Sequence, residues 1–252
     1  MRSHLIRFVL AAVAVLAFST ALLAQTVKQP DGAKAPAKTS TADFSGVWQG
    51  PNFAGAKGRG FGFTVEAPPM QPWAEEKFKA NHDPERDPNY HGRENVSPAL
   101  RCFPPGPTWL LAQFRPFEIL QLPGRVLMIF QWDHWVRTVW RDGRKHPEDL
   151  DPTWMGHSIG KWDGDTLVVD TVGLNDKTWL DPPGHPHSDA LHVVERWRRP
   201  DQHTLVVDVT FDDPKAYTKS WTGQRTYQFH PDWEIGEEVP CEEHLLHEHG
   251  PL

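Results

Sequence analysis

Apolar residues alternate with polar ones along most of the second half of the chain, and tight-turn residues interrupt the alternation at short intervals. Phe117 to Gln121 and Arg125 to Trp132 flank Pro123-Gly124, and Trp135 to Arg141 runs on to Asp142-Gly143. Gly156 to Trp162 and Asp165 to Val172 flank Asp163-Gly164, a dipeptide favoured in two-residue hairpin turns. Leu191 to Arg198 and Thr204 to Phe211 form a third hairpin across Pro200 to His203, and a last strand covers Trp221 to Phe229. Upstream, Phe44, Gly46 and Trp48 share one face of an opening strand. Pro72 to Lys79 is the one helix candidate, with Pro72 in its first turn. Residues 81–107 are dominated by Pro, Asn, Asp and Gly and predict a long loop. The pattern therefore predicts a mainly β domain of about nine strands and one short helix. Strands joined mostly to their sequence neighbours favour an antiparallel up-and-down barrel, because closure removes exposed edges; a two-sheet β-sandwich is the alternative.

The same alternation sorts side chains into faces. Leu205, Val207, Val209 and Phe211 make one wholly apolar face, which marks the core side of that strand. On the preceding strand Leu191, Val193 and Trp197 point inward, and Glu195 goes with them. A carboxylate on an apolar face needs a partner. His157 shares a face with Met155 and Ile159, so the expected arrangement is an inward His157/Glu195 pair able to do general acid/base work. Asp133 and Arg137 fall on one side of a further aromatic strand, and either is a candidate to complete an internal polar site. Trp132, His134, Arg137, Trp162 and Trp197 are the candidate ligand-lining residues, and the chain's 12 Trp supply ample aromatic surface for a core.

His185, His187 and His192 lie within eight residues and are candidate ligands for a divalent transition metal such as zinc, copper or iron, with Asp189 as an alternative ligand. Their spacing matches no established metal signature, and alternation turns His192 away from Glu195. Gly156-His157-Ser158-Ile159-Gly160 has the Gly-x-Ser-x-Gly spacing of a nucleophile elbow, but it leads into a hairpin where an elbow needs a helix. His244, His247 and His249 read as a solvated chain end.

At the N-terminus, Arg2 and Arg7 precede an apolar run from Phe8 to Phe18, and Ser19, Ala21 and Ala24 follow. The run is too short to span a bilayer as a helix, and the segment reads as a signal peptide over residues 1–24, which implies a periplasmic or extracellular protein. Residues 25–42 read as a flexible linker, and residues 43–252 as a single barrel-like domain. Without Arg2 and Arg7 the 26 basic residues become 24 against 33 acidic ones, a formal charge of −9. That balance disfavours nucleic acid as a partner, since phosphate contact needs a basic face. The chain has two cysteines, Cys102 and Cys241, which an oxidising compartment would allow to pair.

The segment from Gly156 to Thr171, GHSIGKWDGDTLVVDT, resembles a hairpin shared by a family of exported, functionally uncharacterised bacterial proteins. The likeness extends to Pro72-Trp73, to Cys102 through Gly106, to Phe117-Glu118-Ile119, to Trp132-Asp133-His134, and to His185 through His192. It implies export and brings no activity. Gly46-Val47-Trp48 also resembles the Gly-x-Trp of lipocalins, which implies barrel topology alone. Two functions follow from the residues: a barrel binding a small apolar or aromatic molecule, or an exported hydrolase or proton-transfer enzyme using His157 and Glu195, with or without a metal.

Overall fold

The computed structural model describes residues 43–50, 62–81 and 97–240. The expected signal peptide and linker, Cys241 and the histidine-rich chain end lie outside the described residues.

Nine strands close into a barrel in the order in which they occur along the chain. They are β1 (Gly46–Gln49), β2 (Pro116–Leu122), β3 (Arg125–Phe130), β4 (Val136–Trp140), β5 (His157–Asp163), β6 (Thr166–Val172), β7 (His192–Arg198), β8 (Thr204–Asp212) and β9 (Trp221–His230). The three hairpins expected from the turn residues form as β2–β3, β5–β6 and β7–β8. Gly124 and Gly164 take positive φ at the first two turns, where a side chain would be strained. Among the described residues two α-helices accompany the barrel: α1 (Pro72–Ala80), at the expected position, and α2 (Pro107–Ala112), which begins where a loop was expected. Every residue of α2 is buried. A six-residue helix held by packing leaves almost no periodic signal in its sequence.

The barrel is mixed where the sequence predicted an antiparallel one. Strand direction cannot alternate all the way around a closed ring of nine, because the count is odd. One neighbouring pair must run parallel, and it is β4 with β5, through only two register pairs, Val139 with Ser158 and Trp140 with Ile159. The crossover that this pairing requires is residues 141–156. It lies against the outer wall, with Thr153 N–H donating to Gly173 O and Leu150 packed where a Cβ on Gly173 would have to go.

Alternation places the core inside the barrel. Phe117, Ile119, Val126, Met128, Val139, Leu167, Val169, Val193, Trp197, Leu205, Val207, Val209 and Phe211 are all at most 1 % exposed. Phe44, Gly46 and Trp48 share the inner face as expected, and a Cβ on Gly46 would strike the Phe229 ring. Tyr227 crosses the interior between Phe117 and Trp197 and donates to Leu111 O at 2.7 Å, tying α2 to the wall. Burial pushes its phenol well above the usual range. Among the described residues no helix is long and apolar enough to cross a membrane, which says nothing of strands.

Candidate functional site

The inner wall carries a polar centre built from four consecutive strands that include the parallel seam. Arg137 on β4 reaches inward and is 1 % exposed; Glu195 on β7 is fully buried. Arg137 Nη1 donates to Glu195 Oε2 at 2.9 Å. Its Nη2 donates to Thr171 Oγ1 on β6 at 3.0 Å and to Ser158 Oγ on β5 at 3.2 Å, and its Nε is 3.3 Å from the same Ser158 Oγ. Ser158 and Thr171 sit opposite each other in register, with their hydroxyls 2.9 Å apart. Trp197 Nε1 donates to Glu195 Oε2 at 2.8 Å.

Both donors to Glu195 therefore converge on one carboxylate oxygen. The other, Oε1, is buried without a hydrogen-bond partner among the described residues. A buried, unsatisfied carboxylate oxygen is costly and rare in native proteins, so it marks a place where a donor would be stabilised.

The structure separates His157 from Glu195. Ser158 takes the inner position on β5, so His157 lies on the outer face, across the barrel wall from the carboxylate. The expected acid/base pair does not form. The physical reason lies in the cover: the crossover shields this part of the outer wall, so its residues can be apolar, and Met155 and Ile159 gave His157 the look of an inward residue. Asp133 is also outside the polar centre. It occupies a 3-10 turn, Trp132–His134, with φ 46°, and its N–H donates to Glu238 O.

The expected ligand-lining residues divide. Arg137 and Trp197 line the interior. Trp162 lies at one end of the barrel, with its ring centroid 5.3 Å from that of Phe44. Trp132 is buried outside the barrel axis, edge-on to Trp109 and beneath the Arg115 guanidinium, while His134 is exposed. Ser158 and Thr171 were missed, although alternation from Val169 and Leu167 already points Thr171 inward. Arg225 was missed too: it shares the inner face with Trp221 and Tyr227 and donates to Ala112 O at 2.7 Å.

The three histidines expected to share a metal have separate partners. His185 Nδ1 lies 2.8 Å from each oxygen of the Asp181 carboxylate, and its ring stacks on Phe78 with centroids 4.5 Å apart. His187 Nε2 is 2.7 Å from Thr178 Oγ1, and its Nδ1 donates to Ser188 O at 3.0 Å. Burial lowers the His187 pKa, and the hydrogen bond to Ser188 opposes that shift. Ser188 donates through both its N–H and its hydroxyl to Asp213, and Tyr217 OH donates to Pro186 O. These bonds fasten the segment between β6 and β7; Asp189 stands outside them, exposed and paired with Lys215. No group of three or more His, Cys, Asp or Glu able to hold a metal occurs among the described residues.

His192 instead joins a second polar chain, on the outer face of β5, β6 and β7. Asp170 Oδ1 accepts from His192 Nε2 at 3.0 Å and from His146 Nε2 at 3.1 Å. The opposite edge of the His146 ring meets His157, with the two Nδ1 atoms 2.8 Å apart. The His146 ring thus stands as a spacer between His157 and Asp170, so the four groups form a line of hydrogen bonds rather than a cage.

Fold and site together define a closed β-barrel with a buried ion pair on its inner wall and an external histidine chain beside its seam. No protein-family model and no curated protein matches the chain.

Proposed function

We propose that this protein is an exported binding barrel that holds a small, largely apolar or aromatic molecule bearing an N–H or O–H donor, with Glu195 as the acceptor. The observation that carries the reading is Glu195 Oε1, buried without a partner in an interior walled by Phe117, Met128, Trp197 and Tyr227. Aromatic walls with a few fixed polar groups are the usual make-up of small-molecule sites. Arg137 and Trp197 hold the carboxylate in place before the ligand arrives, with Ser158 and Thr171 fixing the guanidinium, which lowers the cost of ordering it on binding. Export rests on the charged, apolar and small-residue pattern of residues 1–24, and kinship with the exported bacterial family rests on the Gly156 to Thr171 hairpin.

Native mass spectrometry of the secreted protein tests the reading. The expected result is one adduct of constant mass per chain, lost on collisional activation, whose rebinding quenches Trp fluorescence. A bare-chain mass under gentle conditions, with no quenching across small aromatic amines, amides and phenols, overturns it.

A further inference from the structure

The histidine chain lies where the barrel has its fewest strand pairings. His146 belongs to the crossover, His157 opens β5 beside the two-pair seam, and Asp170 and His192 stand on β6 and β7. With Asp170 ionised, it accepts from His146 Nε2–H and His192 Nε2–H. Neutral His146 then has its lone pair at Nδ1, and His157 donates to it through Nδ1–H. One extra proton on the pair is tolerated, since one imidazolium can still donate to one neutral ring. A second leaves two N–H groups pointing at each other across 2.8 Å, and the bond is lost.

The surrounding charges oppose that second proton only in part. On the crossover, Arg144 adds positive charge beside His157 while bound to Asp142, and Glu148, Asp149 and Asp151 are exposed. Asp170 is the carboxylate in contact with the chain and serves His146 and His192 together. Asp212 on β8 is exposed and pairs in register with His192.

We propose that the line His157–His146–Asp170–His192 is an acid-sensitive latch, in which a second proton on the facing His146 and His157 rings parts the crossover from the start of β5 and loosens the β4–β5 seam, while His146 stays bound to Asp170. Partial burial, His146 and Arg144, in that order, hold the His157 pKa below the ordinary histidine value, so the latch stays closed at neutral pH and opens as the pH falls well under about 6.5. Opening is local, because the remaining neighbours are joined by longer antiparallel ladders.

Hydrogen exchange read by mass spectrometry at about pH 7.5 and about pH 5, corrected for the intrinsic pH dependence of exchange, tests this on the full chain. Peptides covering residues 141–160 should lose protection roughly 10-fold or more in acid, while those from β8 and β9 hold theirs. In His146→Asn the same peptides should show no such acid step. Unchanged protection, a uniform loss around the barrel, or an equal step in His146→Asn overturns the proposal. Should His146→Asn fail to fold, NMR titration of the wild-type His157 imidazole decides: it must titrate below the ordinary histidine range, and an ordinary His157 titration overturns the proposal.

Discussion

At the scale of single residues, the contact between Arg137 and Glu195 decides what a substitution inside the barrel costs. Both groups are withdrawn from water, so removing one leaves the other's charge buried and unpaired. Arg137→Met is expected to lower unfolding stability by about 3–5 kcal/mol, measured by urea denaturation. The double variant Arg137→Met/Glu195→Leu should recover part of that loss, because no charge is then stranded; equal destabilisation of the single and double variants would show that packing alone matters. Glu195 was legible as an inward residue because Leu191, Val193 and Trp197 share its face, and Arg137 was legible as a candidate for the interior. The acid/base pairing was not legible. A half-covered outer wall and an inner wall both carry apolar residues, and only the path of residues 141–156 distinguishes them.

At the scale of elements, the seam depends on a residue with no side chain. Gly160 lies on the inner side of β5, and a Cβ there would come within 2.8 Å of Val139 Cγ1 on β4 and 3.3 Å of Leu167 Cδ1 on β6. Gly160→Ala should therefore wedge the two parallel strands apart and cost about 1–3 kcal/mol, with the loss in thermal midpoint as the measure. An unchanged midpoint would mean that the seam gives way without penalty. The hairpins were legible because each ladder has both a period of two and a short run of turn residues between its strands. The parallel pair has the period but no turn: its strands are separated by a polar, irregular crossover. Counting strands was the missing step, since an odd number in a closed ring forces one parallel contact. Helix α2 escaped for a different reason, its six buried residues being too few to show a helical period.

At the scale of the whole molecule, stability should depend on pH through histidines kept neutral by the fold. Burial lowers the pKa of both His157 and His187, so the unfolded chain takes up their protons more readily than the folded one does. Their contribution is fully present above about 6.5, the ordinary histidine value, and declines as the pH falls below it toward the depressed folded values. The urea midpoint is expected to hold steady from about pH 8 to about pH 7 and to fall between about pH 6.5 and about pH 5.5, before most carboxylates titrate. A midpoint that is flat or rises through that interval would contradict the assignment of neutral, buried imidazoles.

The seam also bears on how the chain is threaded through the barrel. Strands β1 and β9 are antiparallel neighbours with Val47 beside His230, so the start of the first strand and the end of the last lie side by side. A circular permutant joined there by a short linker and cut within residues 141–156 would read β5 through β9 and then β1 through β4. Its successive strands would all be antiparallel neighbours, and the lone parallel contact would fall between its own first and last strands. In that order every strand follows its antiparallel neighbour, and the barrel closes without the crossover of residues 141–156.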